Sequence, residues 1–161
     1  MKGSSKIIKA LNHLLKAELS SVQQYFIHSE MYKDWGIDAL YDRIHHEMQD
    51  EQGHATLLVQ RILFLEGIPN VGVLEPLKIG KDVVGMLKND LFYEVEVRNR
   101  LIECISLCEK ERDFKTREML ETLLDDTETD HIHWLEQQLR LIKLMGLENY
   151  IQSKSKGDPE E

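Results

Sequence analysis

Residues 67–81 read GIPNVGVLEPLKIGK, three Gly and two Pro in fifteen residues with no helical period. On either side the chain is strongly periodic. Before this stretch, Leu11, Leu15, Glu18, Val22, Tyr25 and Ser29 recur every three or four residues, predicting a helix from about Ser5 to Asp34 that Gly36 ends. A second run, with Asp38 as its expected N-cap, sets Ile44, Met48, Glu51, His54, Ala55, Leu58, Ile62 and Leu65 on one face. After the stretch, Val84, Leu87, Leu91, Glu94, Val97, Leu101, Ile105 and Cys108 mark a third helix, from Asp82 to about Glu111. Beyond the charged break Glu111, Arg112 and Asp113, a fourth carries Leu120, Leu124, Glu128, His131, Leu135, Leu139 and Ile142 as far as Gly146. Leu147 to Ser153 reads as a short fifth helix, which makes 1–153 one domain and 154–161 a polar tail expected to be disordered.

The length of the connection decides the topology. The second helix should be roughly 42 Å long at its rise per residue, and a connection of this size reaches roughly 50 Å when extended. It can therefore run the length of the bundle and leave helices two and three parallel, while the short breaks force the other neighbours into antiparallel hairpins. The expected fold is all-α: a four-helix bundle with one long crossover and a short fifth helix.

Composition agrees. A chain of 161 residues is long enough for one core, and 9 Gly with 3 Pro leave too little turn material for a many-stranded sandwich or barrel. Twenty Lys and Arg against twenty-nine Asp and Glu give a net charge of -9, which argues against a nucleic-acid partner and for cations. Cys104 and Cys108, four apart on one helix, read as reduced core thiols. No apolar run has the length of a signal peptide or a membrane span, so the expected location is cytoplasmic.

Each of the four apolar stripes is broken by a carboxylate, and two of them by a His three residues later: Glu18; Glu51 and His54; Glu94; Glu128 and His131. The midpoint of Glu18 and Glu51 falls at 34.5, beside Gly36, and that of Glu94 and Glu128 at 111, in the charged break, so each pair is level within its hairpin. The second hairpin repeats the first at a nearly constant offset, 76 from Glu18 to Glu94 and 77 for the other two pairs. A single Glu on such a stripe is ordinarily a snorkelling surface residue. Four buried carboxylates are another matter, because without cations each would carry a desolvation and repulsion cost of several kcal/mol. Two divalent cations balance them. One imidazole per ion in an oxygen-rich set suits iron or manganese, since structural zinc favours a closed Cys and His tetrahedron, and the ligand pattern is that of di-iron carboxylate bundles.

The segments MKG, QYF, KDWG, RILFLEG, the DE and HA around the ligands of the second helix, HI and WLE around those of the fourth, and GLENYIQ near the end occur in this order along nearly the whole chain. In these the sequence resembles the bacterioferritins. The resemblance implies a cytoplasmic cage of 24 subunits that oxidises Fe(II) with O2 or H2O2 and stores ferric mineral, with a ferredoxin-type reductant for release. It further implies that Glu18, Glu94, His54 and His131 each serve one non-haem iron of a pair while Glu51 and Glu128 bridge, that Tyr25 and Trp134 lie close by, and that His46 and Asp50 form an iron site on the cavity wall. Asn149 and Gln152 match residues at the four-fold pore.

Two positions depart from the family. The Met that ligates haem b follows the second-helix Glu directly, and here that position is Gln52. An amide oxygen is a poor haem ligand, and Met48 lies a turn away, so haem b is not expected at a bis-methionine site of a homo-oligomer; a mixed cage with a haem-binding sister subunit would supply the Met. His133 stands where the family often places an acid lining a cation route. Among other classes, a rubrerythrin-like peroxidase would usually carry CxxC pairs and a DNA-protecting mini-ferritin often a basic tail. This chain has neither, and its last residues are DPEE.

Overall fold

The structure is a computed structural model and describes residues 1–155. It contains α1 (Ser5–Asp34), α2 (Asp38–Phe64), α3 (Val83–Glu111), α4 (Phe114–Asp126), a π-helical turn (Thr127–Ile132), α5 (His133–Met145) and α6 (Leu147–Lys154), with no strand among the described residues. Asp126, Thr127, Ile132 and His133 all keep right-handed helical backbone angles, so α4, the π turn and α5 form one continuous rod. This rod is the fourth helix of a four-helix bundle. The tail expected at 154–161 lies outside the described residues beyond Ser155, and Lys154 closes α6.

Contacts along the rods give their directions. Ser4 and Lys6 reach Glu111 while Gln24 and His28 reach Asp90, so α1 and α3 are antiparallel. Arg61 meets Thr116, His54 meets Asp126 and Arg43 meets Asp130, so α2 and the fourth rod are antiparallel as well. Helices α2 and α3 are then parallel, as the crossover length predicts. Gly36 makes the first hairpin turn at φ 73°, a left-handed conformation open to Gly at little cost. Asp38 falls in the first turn of α2 rather than at its N-cap, which is Ile37; its charge still suits a helix N-terminus.

The crossover is strapped to α1. Ile68 and Asn70 bond Asn12, the Glu75 N–H donates to Ser20 Oγ, the Lys78 N–H to Gln24 Oε1, and the Gly80 N–H to His28 Nε2. A side chain every turn or two therefore accepts a backbone donor that has no ladder of its own. At Gly80 a Cβ would stand 2.4 Å from the Met86 backbone nitrogen, so only Gly lets the strap enter α3 this closely.

The apolar core is divided in two. Leu11, Leu14, Leu58, Ile62, Leu101 and Leu120 belong to one cluster, and Tyr32, Leu40, Ile44, Met86, Leu87 and Leu135 to the other. Between them lie buried Glu18, Glu51, Glu94, His54 and His131. Both cysteines are buried and free. No helix among the described residues is long and apolar enough to cross a membrane.

The fourth rod departs from the expected stripe. Its buried residues are Thr116, Leu120 and Leu123, then Thr127 and His131 within the π turn, and Leu135 and Gln138 beyond it; Leu124 and Glu128 are only partly buried. A π turn takes up one residue more than an α turn. The side chains before it are therefore rotated by one position from a straight-helix extrapolation back from His131.

Candidate metal centre

Four rods deliver the site. Glu18, Glu51 and Glu94 are completely buried, at 0% exposure, and His131 and His54 are nearly so. Ligand atoms of Glu18, Glu51 and His54 lie within 4.8 Å of one another, and so do those of Glu51, Glu94 and His131. The two triads share Glu51. In the first, residues three apart on α2 share a face, and His54 Nδ1 is 3.4 Å from Glu51 Oε2; in the second, three rods meet, and His131 Nδ1 is 2.7 Å from Glu51 Oε1 and 3.5 Å from Glu94 Oε2. The rings stack, with centroids 5.8 Å apart.

The far ring nitrogens are also held. His54 Nε2 is 2.8 Å from Asp126 Oδ2, and His131 Nε2 is 2.9 Å from Glu47 Oε2. A carboxylate on the outer nitrogen fixes the ring and makes the inner Nδ1 the better metal ligand. Glu47 is itself buried and gripped by Arg43, whose Nε is 2.5 Å from Glu47 Oε1. The Arg43 guanidinium also pairs with Asp130 at 2.6 Å and lies over the Trp134 ring.

The electrostatics describe a place for positive charge. Burial, then the negative charge of Glu51 and Glu94, raises the Glu18 carboxyl well above its ordinary range. Burial, then Glu51, raises Glu94 as well. Burial would raise Glu51 too, but its contacts with Glu18, His131 and His54 outweigh this and hold it well below the usual range. Both oxygens of Glu18 and Glu51, Glu94 Oε2 and the Nδ1 atoms of His54 and His131 complete no hydrogen bond of acceptable geometry despite their burial. Unpaired buried acceptors that converge are an arrangement for a bound cation. Tyr25 donates to Glu94 Oε1 from a fully buried position, and burial, then the Glu94 charge, pushes its own pKa well up.

Five of the six expected ligands thus come together, and Glu128 does not join them. Its Oε1 lies 2.5 Å from Arg98 Nε, with its side chain 40% exposed. The cause is the π turn, which gives Thr127 the inward position; the Thr127 hydroxyl donates to Leu123 O. His46 Nε2 and Asp50 Oδ2 are 3.2 Å apart on the partly exposed face, and Asp50 has ligand atoms within 4.8 Å of Glu47, Asp130 and His131. Gln52 is exposed, in a groove of about 440 Å³ lined also by Val22, Gln23, Phe26, Met48 and Gln49. His133, Asn149 and Gln152 are exposed on the outer faces of α5 and α6.

Sequence reading missed Glu47 and Asp126. Glu47 had a signal, since it stands four residues before Glu51 on the same face. Asp126 had none, because its place against His54 depends on the π turn.

The sequence matches the family described as Ferritin-like domain over residues 8–145. It is 51% identical over 154 residues to a bacterial ferritin of Synechocystis sp., spanning 96% of this chain and 99% of that one. A bacterial ferritin of Paramagnetospirillum magnetotacticum is 53% identical over 154 residues, 95% of this chain and 94% of its own. A bacterioferritin of Brucella melitensis is 39% identical over 150 residues, 93% and 92% of the two chains. With this bundle, this crossover and relatives of this likeness along almost their whole length, the chain belongs to the ferritin-like family, among the bacterial ferritins and bacterioferritins.

Proposed function

We propose that this chain stores iron and is a ferroxidase, taking two Fe(II) ions into the centre of its bundle, passing their electrons to O2 or H2O2, and delivering Fe(III) to a mineral inside a 24-subunit cage. Iron storage is supported by the family itself. The observation that carries the finer reading is the pair of buried triads, Glu18, Glu51 and His54 beside Glu51, Glu94 and His131, with acceptors left unpaired.

The chemistry follows from the residues. Carboxylates are hard anions and favour the ferric over the ferrous ion, so binding itself biases the pair towards oxidation. Glu51, belonging to both triads, links the two ions and lets them deliver two electrons to one oxidant. Glu47 and Asp126 hold the imidazoles by their outer nitrogens. Tyr25 donates to Glu94 and keeps that carboxylate oriented. His46 and Asp50 are assigned to iron on its way to the cavity wall.

The haem position is occupied by Gln52. A homo-oligomer therefore holds no bis-methionine haem b and forms a haem-free cage, unless a sister subunit that keeps the Met joins it in a mixed one. The proposed location is the cytoplasm. The test is aerobic loading of purified cages with several hundred Fe(II) per cage. Electron-dense cores should form in the wild type, and a Glu18→Ala, Glu94→Ala double variant should mineralise slowly. Equal rates would refute the ferroxidase reading.

A further inference from the structure

The two hairpins are out of step by one residue, and the structure shows where the extra residue goes. An offset of 76 carries the buried positions Leu40, Ile44, Glu47 and Glu51 of α2 onto Thr116, Leu120, Leu123 and Thr127, all buried. An offset of 77 carries His54 and Leu58 onto His131 and Leu135, also buried. The step between the registers is the π turn Thr127–Ile132. With the turn in this place, the counterpart of Glu51 is Thr127. With the turn one helical turn nearer the N-terminus, the offset of 77 would already hold at residue 128, and the counterpart of Glu51 would be Glu128.

Both registers are compatible with the core. Leu123 is the inward residue one turn before Thr127, and Leu124, one turn before Glu128, is a leucine too. His131 keeps its place in either, while Asp126, just before the turn, holds His54 only in the register of the structure. A π turn is a rare, single-turn irregularity of a helix and is frequently found at functional sites. Glu128 is held outside by one partner, Arg98, in a half-exposed ion pair, and such a pair is a weak latch.

We propose that the π turn shifts towards α4 as the centre fills, exchanging Thr127 for Glu128 as a second bridge opposite Glu51, and that Arg98 is the positioning residue that holds Glu128 outside until then. This rests on the di-iron reading of the same site. The driving force is differential affinity: three carboxylates face two divalent ions in the register of the structure and four in the other, so ions favour the second. The first ion binds to preformed ligands, while the second is bound at the expense of the Arg98 contact.

The experiment uses intact cages and Co(II) alone, a redox-stable probe whose visible absorption reports each bound ion. In wild-type cages crystallised with Co(II), Glu128 should lie between the two ions and Thr127 should have left the interior. Glu128→Gln should weaken the second Co(II) about tenfold or more, in the range that supporting ligands command, with the first ion little affected. Arg98→Gln should tighten the second ion, and Arg98→Lys should behave like wild type. Deletion of Thr127 removes the extra residue and should give an unbroken α-helix with Glu128 permanently inside. If that variant does not fold, the point substitutions and the Co(II) crystal structure decide. Two Co(II) ions bound with Glu128 still on Arg98, or a second affinity indifferent to Glu128→Gln, would overturn the inference and leave the di-iron reading standing. Failure of wild-type cages to bind two ions would overturn both.

Discussion

At the scale of single residues, the centre is built against the stability of the fold. Glu18 is buried beside two other carboxylates, and its pKa is raised well above the unfolded value by burial and by their charge. A raised acid binds more protons folded than unfolded, so its contribution to stability is fully present below the unfolded pKa and is lost as pH rises through the folded one. Metal-free protein should therefore lose stability from about pH 4.5 upward on account of this group, and Glu18→Gln should flatten that slope. The same substitution should raise the metal-free melting temperature at pH 7 by a few degrees, for a gain of about 1 kcal/mol, measurable by differential scanning calorimetry. Added divalent metal should reverse the order, with wild type melting above the variant. Glu51 should tolerate change least, because it belongs to both triads: Glu51→Ala should lose both ions, where Glu94→Ala should weaken chiefly one. Metal titration of the two variants separates these outcomes.

At the scale of elements, the crossover and the fourth rod carry the argument. Gln24 is buried; its Nε2 donates to Asp90 and its Oε1 accepts from the Lys78 N–H. Gln24→Ala strands the Lys78 N–H and leaves Asp90 to His28 alone, and leaving a buried polar group unpaired costs about 1–3 kcal/mol. The expected outcome is a lower melting temperature, with faster amide exchange concentrated at residues 75–80. Gly80→Ala should act on the same segment by another route, since its Cβ would collide with the backbone at Met86. That the connection must cross the bundle could be read from its length alone. That Ser20, Gln24 and His28 fasten it could not, because on a helical period they look like polar residues on a solvated face. The fourth rod shows the same limit. Its stripe was extrapolated at 3.6 residues per turn through Leu124 and Glu128, and the π turn moved the interior to Leu123 and Thr127. The sequence did hold the signal, in hairpin offsets of 76 and 77 that differ by one residue. Reading it required knowing where the extra residue sits, which is a property of packing.

At the scale of the whole molecule, two apolar clusters clamp a charged middle, and the outer surface must support the assembly proposed for it. Phe26, at 48% exposure, lines the groove that also holds Met48 and Gln52. Cages of this chain alone should show no bis-methionine haem spectrum after reconstitution, and Gln52→Met should produce one; a wild-type homo-oligomer with that spectrum would point to Met48 instead. In solution the chain should elute at the mass of a 24-subunit cage rather than of a dimer. The claim on which the whole account turns is that two ions are oxidised together inside each bundle. Stopped-flow mixing of metal-free cages with increasing Fe(II) in aerobic buffer tests it most directly. The account predicts a fast phase whose amplitude grows up to two Fe(II) per chain and then stops, and which disappears in the Glu18→Ala, Glu94→Ala double variant. A fast phase without that break, or one that survives the double variant, would contradict it.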